Sequence, residues 1–150
     1  MVARRLWFAG PVSHVNDPEV IRRLLTTPAR WAVVGLSTNR ARAAHGVAAY
    51  VQGTLGHEIV PVHPRAETVH GAAGYPALAE VPGHVDVVDV FVNSRLAGAV
   101  VDDAIAIGAG AVWLQLGVVD EQAAQRARDA GLAVVMDTCP VIEGRRSGLA

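Results

Sequence analysis

The sequence predicts an α/β domain built on a doubly wound, five-stranded parallel sheet. Short apolar runs alternate with segments in which apolar residues recur every three to four positions, which indicates strands alternating with helices. The runs are apolar almost without interruption, as is typical of strands that helices cover on both faces. Because strand–helix–strand connections are right-handed, successive strands are expected to lie parallel in one sheet.

The first element is a helix at 17–26, expected to lie outside the sheet and to cover apolar surface. Asp17 is a suitable N-cap, Pro18 suits the first helical position, and the apolar residues that follow share one face. The predicted strands are 31–36, 59–62, 85–91, 111–116 and 132–136. Helical patterns follow three of these strands, at about 44–55, 97–105 and 120–130, and Asp120 is the expected N-cap of the last. A short element is predicted at 75–78.

One domain accounts for the whole pattern. We expect an N-terminal extension at 1–16, the domain at 17–140 and a C-terminal tail at 141–150, with no internal repeat. The net charge of −1 gives no general attraction to nucleic acid or to a membrane surface. No apolar run reaches the roughly 20 residues of a spanning helix. The single cysteine and the absence of a secretory signal pattern favour a cytoplasmic protein.

The segment after the first strand predicts an anion site. A glycine permits a tight turn there, and a helix follows whose first N–H groups are unpaired and whose dipole favours phosphate. The dinucleotide fingerprint G-x-G-x-x-G is incomplete, because Ser37 and Arg40 occupy its second and third glycine positions. The candidate binding residues of this segment are Gly35, Leu36, Ser37, Thr38, Arg40 and Arg42.

Ligands of doubly wound sheets bind beyond the carboxyl ends of the strands. That rule brings the first segment together with residues that follow the other strands. An NAD site needs an acidic residue after the second strand, but a basic edge, His63-Pro64-Arg65, stands there. Such an edge suits an extra ribose phosphate, which both NADP and coenzyme A (CoA) carry. The further candidates at this rim are Phe91, Asn93, Gln115 and Gly117.

Six segments carry a resemblance that covers about residues 31–146 in the right order. They are Val34-Gly35-Leu36-Ser37 with Arg42, Pro61-Val62-His63-Pro64, Gly71 with Tyr75-Pro76-Ala77-Leu78, Val85-Asp86-Val87-Val88-Asp89-Val90-Phe91, Val112-Trp113-Leu114-Gln115-Leu116-Gly117 and Val135-Met136-Asp137-Thr138-Cys139. In these segments the chain resembles the small stand-alone CoA-binding proteins. The resemblance implies a single Rossmann-like domain, similar to the CoA-binding part of the succinyl-CoA synthetase alpha subunit, with CoA as its ligand.

The chain departs from that family's pattern at two positions. His63 stands where the family usually has asparagine, and Val92 stands where an arginine commonly follows the phenylalanine of the third strand. The second departure removes one candidate phosphate contact, for which Arg95 is a potential replacement from the next turn.

The expected function is therefore binding of CoA or an acyl-CoA without catalysis. The alternatives are an NADP-dependent oxidoreductase or NADP-binding regulator, and a module that binds a protein partner without ligand. No catalytic group and no metal site is predicted: the chain contains no lysine for a Tyr-Lys pair, and the histidines show no ligand spacing. Self-association and a protein partner both stay open at this stage.

Three further polar residues have an expected role. Asp89, inside an apolar strand, is expected to be a buried acid satisfied by backbone donors. Gln115 is expected either to meet the adenine or the pantetheine amides of a ligand or to tie two strands together. Ser37 is expected to be an N-cap or a phosphate contact rather than a nucleophile.

Overall fold

The computed structural model describes residues 13–150. Within these residues, six helices, which we label α1 to α6, and five strands, β1 to β5, alternate along the chain. The strands are β1 (Arg30–Val34), β2 (Glu58–Val62), β3 (Val87–Val90), β4 (Ala111–Leu114) and β5 (Ala133–Met136). The helices are α1 (Pro18–Thr26), α2 (Ala43–Gly53), the short 3₁₀ helix α3 (Leu78–Glu80), α4 (Ser94–Ala106), α5 (Glu121–Asp129) and α6 (Pro140–Arg146).

All five strands are parallel and lie in the order β2-β1-β3-β4-β5. The chain moves outward from β1 to β2, returns to the other side of β1 for β3, and then continues to β5. The carboxyl ends of β1 and β3 therefore form the point where the winding reverses, which is where ligands bind in such sheets. The predicted fold class is confirmed.

Apolar layers cover both faces of the sheet. One face packs against α1 and α2 and holds the two fully buried tryptophans, Trp31 and Trp113, whose ring centroids lie 5.7 Å apart. The other face packs against α4 and α5, which contribute mainly alanine and valine. The predicted first helix does cover apolar surface, since Ile21, Leu24 and Leu25 are buried in the first layer.

Three helices begin at side chains that cap their N-termini. Asp17, Asn93 and Asp120 each accept a hydrogen bond from a backbone N–H in the first turn of α1, α4 and α5. The caps predicted at Asp17 and Asp120 are confirmed. In α2 the N-cap residue is Arg42, which makes no side-chain cap bond, so Ser37 is not the cap of that helix.

The ends of several elements differ from the predictions. Strands β1 and β4 end two residues early and β3 ends one residue early, because the backbone leaves the ladder where the loops of the ligand edge begin. Strand β3 also begins two residues later than predicted. The predicted tail at 141–150 begins inside α6. Pro140 starts that helix, and the buried Glu143 accepts a hydrogen bond from the Thr138 hydroxyl, which fastens α6 to the end of β5.

Both edges of the sheet are covered near their carboxyl ends. Beside β2, the backbone of Tyr75 donates to Pro61 and accepts from His63. Beside β5, the side-chain amide of Asn16 donates to the Met136 carbonyl and accepts from its N–H. Of the N-terminal extension predicted at 1–16, residues 1–12 lie outside the described part of the chain. None of the helices in residues 13–150 has the length and apolar character needed to span a bilayer.

Candidate functional site

A cleft of about 750 Å³ lies at the carboxyl ends of β1, β2 and β3. It therefore occupies the reversal point of the sheet. Its floor is the end of β1, one wall is the start of α2, and the opposite wall is formed by the loop after β2 and by the first turns of α4. The lining residues are Val34, Gly35, Ser37, Asn39, Arg42, Ala43, Ala44, Val62, His63, Pro64, Arg65, Pro76, Ala77, Leu78, Phe91, Val92, Asn93, Leu96, Val100 and Asp103.

Gly35 forms the floor of the cleft between two neighbouring chain segments. Its N–H donates to the Val62 carbonyl at 2.8 Å, and the backbone adopts a φ of +100°. A Cβ atom at this position would lie 2.6 Å from the carbonyl oxygen of Phe91. The left-handed conformation and the close approach both require glycine. The turn predicted at this glycine is present.

The start of α2 faces the cleft without a side-chain cap. The cleft is lined at this point by Arg42, Ala43 and Ala44. By contrast, α1, α4 and α5 each begin at a side-chain oxygen that caps the helix N-terminus. The preceding loop is held by its own side chains, since Ser37 Oγ accepts from the Asn39 N–H at 3.2 Å and Asn39 Oδ1 accepts from the Ala41 N–H at 2.9 Å. An uncapped helix start of this kind can bind an anion through its backbone N–H groups.

Two guanidinium groups and one imidazole line the same cleft. Arg42 comes from the start of α2, and His63 and Arg65 come from the loop after β2. The Arg65 N–H donates to His63 Nδ1 at 3.2 Å, which places the ring proton of a neutral His63 on Nε2. Within residues 13–150 neither Arg42 nor Arg65 has an ion-pair partner. The carboxylate on the cleft wall is Asp103.

The acid nearest to the end of β2 is occupied by a protein contact. Glu67 accepts from the backbone N–H and from the hydroxyl of Thr38. The N–H bond from Thr38 is the main cause that lowers the pKa of Glu67, with smaller contributions from Arg65 and His63. Gly74 makes room for this loop, because a Cβ there would overlap the Glu67 carbonyl. Glu67 therefore fastens two loops instead of presenting a carboxylate for a ribose diol.

Eight of the thirteen predicted binding residues line this cleft together. They are Gly35, Ser37, Arg42, His63, Pro64, Arg65, Phe91 and Asn93. The other five lie elsewhere: the Leu36 side chain is fully buried in the core, Thr38 is bonded to Glu67, Arg40 is exposed, and Gly117 donates to Asp137. The fifth, Gln115, lines a second pocket. Arg95, the potential replacement at the Val92 departure, is exposed on α4, whereas Val92 itself lines the cleft.

Sequence reasoning missed one wall of the cleft. Pro76, Ala77 and Leu78 form part of it, although the resemblance already included them. Leu96, Val100 and Asp103 also line it, and their spacing places them on one face of α4. The helical spacing of Leu96, Val100 and Asp103 could have indicated this wall. The sequence analysis considered only the apolar face of α4 that packs on the sheet.

A second pocket of about 430 Å³ adjoins the cleft and lies over the carboxyl ends of β3 and β4. The two share Arg42, Ala43, Phe91, Val92 and Asn93. Its remaining lining residues are mostly apolar and come from α2, the loop after β4 and the start of α6: Val47, Gln115, Leu116, Val118, Cys139 and Ile142. The two spaces meet at these shared residues and together lie along the ligand edge of the sheet; we call them the trough.

Gln115 joins the floor of this second pocket to a buried acid. Its side-chain amide donates to Asp89 Oδ1, and Asp89 is fully buried. Burial raises the pKa of Asp89 to about 8, so the carboxyl group is mainly protonated at neutral pH. The expectation that backbone donors satisfy Asp89 is wrong: its partner is a side chain on the next strand, and its Oδ2 has no partner within residues 13–150.

Comparison with known proteins identifies this architecture. The sequence pattern of the family described as the CoA-binding domain matches residues 29–145. The chain belongs to the CoA-binding domain family. The Bacillus subtilis (strain 168) protein YneT, which is described as uncharacterized, is 35% identical over 119 residues, covering 79% of this chain and 87% of its own length. The predicted resemblance is confirmed.

Solved structures of related proteins have the same fold. A hypothetical protein from Pyrococcus horikoshii OT3 superposes with a TM-score of 0.81 at 34% identity, covering 91% of this chain and 95% of its own. A Ca. Korarchaeum cryptofilum dinucleotide-forming acetyl-coenzyme A synthetase superposes with a TM-score of 0.69 at 24% identity. The match spans 82% of this chain and 28% of the synthetase, so a similar fold also occurs as one part of a larger enzyme.

The trough holds several groups that can bind phosphates and amides, namely N–H donors, two guanidinium groups, an imidazole and side-chain amides. A carboxyl group (Asp103), a hydroxyl group (Ser37) and a thiol (Cys139) also line it. Within residues 13–150, no group of three or more histidine, cysteine or acidic side chains is arranged to hold a metal ion.

Proposed function

We propose that this protein binds CoA or an acyl-CoA in the trough and that it is not itself an enzyme. The observation that carries the proposal is the convergence of the uncapped start of α2 with Arg42, His63 and Arg65 around one cleft. Membership of the CoA-binding domain family supports the same ligand. CoA carries phosphates at two separated places, and the cleft has two separated cationic regions to receive them.

In this proposal the pyrophosphate lies at the start of α2. The first N–H groups of the helix and the guanidinium of Arg42 contact its oxygens, and the positive end of the helix dipole favours its charge. The 3′-phosphate of the ribose lies at the loop after β2, where Arg65 provides charge-assisted hydrogen bonds and His63 provides its Nε2–H. Gly35 lets the chain turn at the floor of the cleft, since a side chain there would collide with the backbone of Phe91.

CoA is preferred over NADP for two reasons. The turn after β1 lacks the second and third glycines of the dinucleotide fingerprint, and the trough continues past Phe91 into an apolar pocket. A pantetheine arm suits that pocket better than a charged nicotinamide nucleotide does. The absence of a catalytic role is proposed because the polar groups that line the trough are suited to binding. A cytoplasmic location is proposed from the single cysteine of the sequence.

The test is titration calorimetry with CoA, dephospho-CoA, NADP and NAD, preceded by mass spectrometry of any ligand that the purified protein retains. CoA should bind more tightly than dephospho-CoA, NADP should bind weakly, and NAD should bind poorly because Glu67 is occupied by Thr38. Tighter binding of NADP than of CoA would overturn the proposal and favour the oxidoreductase or regulator interpretation. If none of the four ligands binds, the module that uses this fold to contact a protein partner becomes the better explanation.

A further inference from the structure

Gln115 is the polar side chain that follows β4 in a second pocket whose lining is mostly apolar, apart from Arg42 and Asn93 where it adjoins the cleft. The residue is only 5% exposed, yet it lines the pocket beside Val47, Leu116 and Ile142. One N–H of its amide is used by Asp89. Its Oε1 makes no hydrogen bond within residues 13–150 and is not among the fully buried polar atoms that lack a partner. A hydrogen-bond acceptor therefore faces the pocket.

Asp89 determines the orientation of that acceptor, the amide oxygen of Gln115. Asp89 pairs in register with Trp113, two residues before Gln115, so the two polar side chains lie on the same face of adjacent strands. Asp89 lies one layer deeper, fully enclosed by the sheet and the tryptophan layer. By accepting from the amide nitrogen, it turns the amide oxygen of Gln115 away from the core. The hydrogen bond from Nε2 to Asp89 Oδ1 holds the amide in this orientation.

We infer that Gln115, oriented by Asp89, accepts a hydrogen bond from an amide N–H of an apolar ligand arm that lies in the second pocket. The inference rests on the proposed function, because the pantetheine arm of CoA has this chemistry: short apolar segments that are interrupted by amides. Gln115 is then a specificity-determining residue that touches the ligand, and Asp89 is a positioning residue that acts through it.

The position of Gln115 makes this contact selective. An arm without an N–H at this point would leave the oxygen of a residue that is only 5% exposed without a partner, which weakens binding more than the loss of an exposed hydrogen bond. A carboxylate has no hydrogen to donate to that oxygen and meets its partial negative charge. The Gln115 end of the pocket therefore favours amide-containing chains, whereas Arg42 lies where the pocket adjoins the cleft.

The experiment compares CoA with adenosine 3′,5′-bisphosphate, which has the 3′-phosphorylated nucleotide but no pantetheine arm. Gln115→Met keeps the side-chain volume and removes the amide. This substitution should reduce the affinity for CoA about tenfold and leave the affinity for the bisphosphate unchanged. Asp89→Leu should weaken CoA more than Asp89→Asn does, because asparagine can still accept from the Gln115 amide. Gln125→Met, on the exposed surface of α5, is the matched control and should change neither affinity.

A measurement on the wild-type protein tests the inference even if one of the variants does not fold. In a ¹⁵N-labelled sample, CoA should shift the side-chain amide resonances of Gln115 and the bisphosphate should not. Failure of the wild-type protein to bind either ligand would refute the proposed function. Binding of both ligands with equal losses, or with no loss, in Gln115→Met would overturn only this inference, as would an unshifted Gln115 amide in the CoA complex.

Discussion

Thr38 donates two hydrogen bonds to Glu67, one from its backbone N–H at 3.1 Å and one from its hydroxyl at 3.2 Å. The first residue belongs to the loop after β1 and the second to the loop after β2. The contact therefore joins the two loops that lead to the cationic groups of the cleft, Arg42 after the first loop and Arg65 in the second.

Removing this contact should loosen both loops without unfolding the protein. In Glu67→Ala, amide hydrogen exchange should become faster in 36–41 and in 65–68, because the N–H of Thr38 loses its acceptor. Exchange in the strands should not change. Glu80→Ala, on the exposed surface of the short helix α3, is the matched control and should leave the exchange of both loops as in the wild type. Unaltered exchange of 36–41 in Glu67→Ala would contradict the role given to this pair.

The two arginines of the cleft should respond differently to ligand structure. Arg42→Ala should weaken CoA and dephospho-CoA by the same factor, because both contain the pyrophosphate. Arg65→Ala should reduce the difference between them, because only CoA has the 3′-phosphate. Each loss should be about 1.5–3 kcal/mol, or roughly ten- to hundredfold in affinity.

Two exposed arginines serve as references in the same calorimetric series. Arg40 was a predicted binding residue, but it is exposed and does not line the cleft. Arg40→Ala should therefore weaken CoA binding by a factor several times smaller than Arg42→Ala does. Arg145→Ala, on α6, should have no effect. If Arg40→Ala weakened CoA binding more than Arg42→Ala did, the proposed contact between Arg42 and the pyrophosphate would be wrong, and Arg40 would be the better candidate.

Two glycine-to-alanine substitutions should change stability in opposite directions. Gly35→Ala places a methyl group against the Phe91 carbonyl at a φ of +100°, and it should reduce the free energy of unfolding by about 2–4 kcal/mol. Gly46→Ala lies inside α2, where a Cβ meets no atom within 4 Å, and it should increase stability by up to about 1 kcal/mol. Urea unfolding of both variants measures the difference, and a Gly35→Ala protein as stable as the wild type would refute the constraint.

Asp89 should make the stability of the fold depend on pH. Its pKa is about 8 in the folded state against 3.8 for an unperturbed group, so the folded state holds a proton that the unfolded state releases between these values. Its contribution to stability is complete below pH 4 and is lost as the pH rises toward 8. The slope approaches about 1.4 kcal/mol per pH unit within that window.

The measurement is the free energy of unfolding of the wild type minus that of Asp89→Asn, followed from pH 4 to pH 9. The difference should change with pH in this direction, because asparagine does not titrate. Asp102→Asn, which removes an exposed partner of Arg126, should show no comparable slope. A pH-independent difference for Asp89→Asn would mean that the buried carboxyl group is ionised in the folded protein.

Local sequence signals predicted the parts of the structure that local physics determines. Asp17 and Asp120 were identifiable as caps because a short acidic residue before an apolar period satisfies the N–H groups of a helix start. Gly35 was identifiable because a glycine after a buried strand permits the turn. Arg42 and Arg65 were assigned to the ligand edge from topology alone, since all carboxyl ends of a parallel sheet lie at one edge.

The remaining features depend on contacts between distant segments. The partner of Asp89 is 26 residues away, and no local pattern distinguishes a side-chain donor from a backbone donor. Helix α6 has only seven residues, and its position depends on contacts such as that of Gly144, where a Cβ would overlap the Tyr50 hydroxyl. The connection between the loop after β1 and the loop after β2 likewise depends on a long-range pair, Thr38 with Glu67.

The covered edges of the sheet limit how copies of this chain can associate. An open edge strand exposes N–H and C=O groups on which a strand of another molecule can pair, which is a common route to dimers and to aggregates. Here Tyr75 occupies those groups beside β2, where Pro61 also lacks an N–H, and Asn16 occupies them at Met136. Growth of the sheet from one molecule to the next is thus blocked at these positions beside the trough, so self-association by strand pairing there would first have to displace Tyr75 or Asn16.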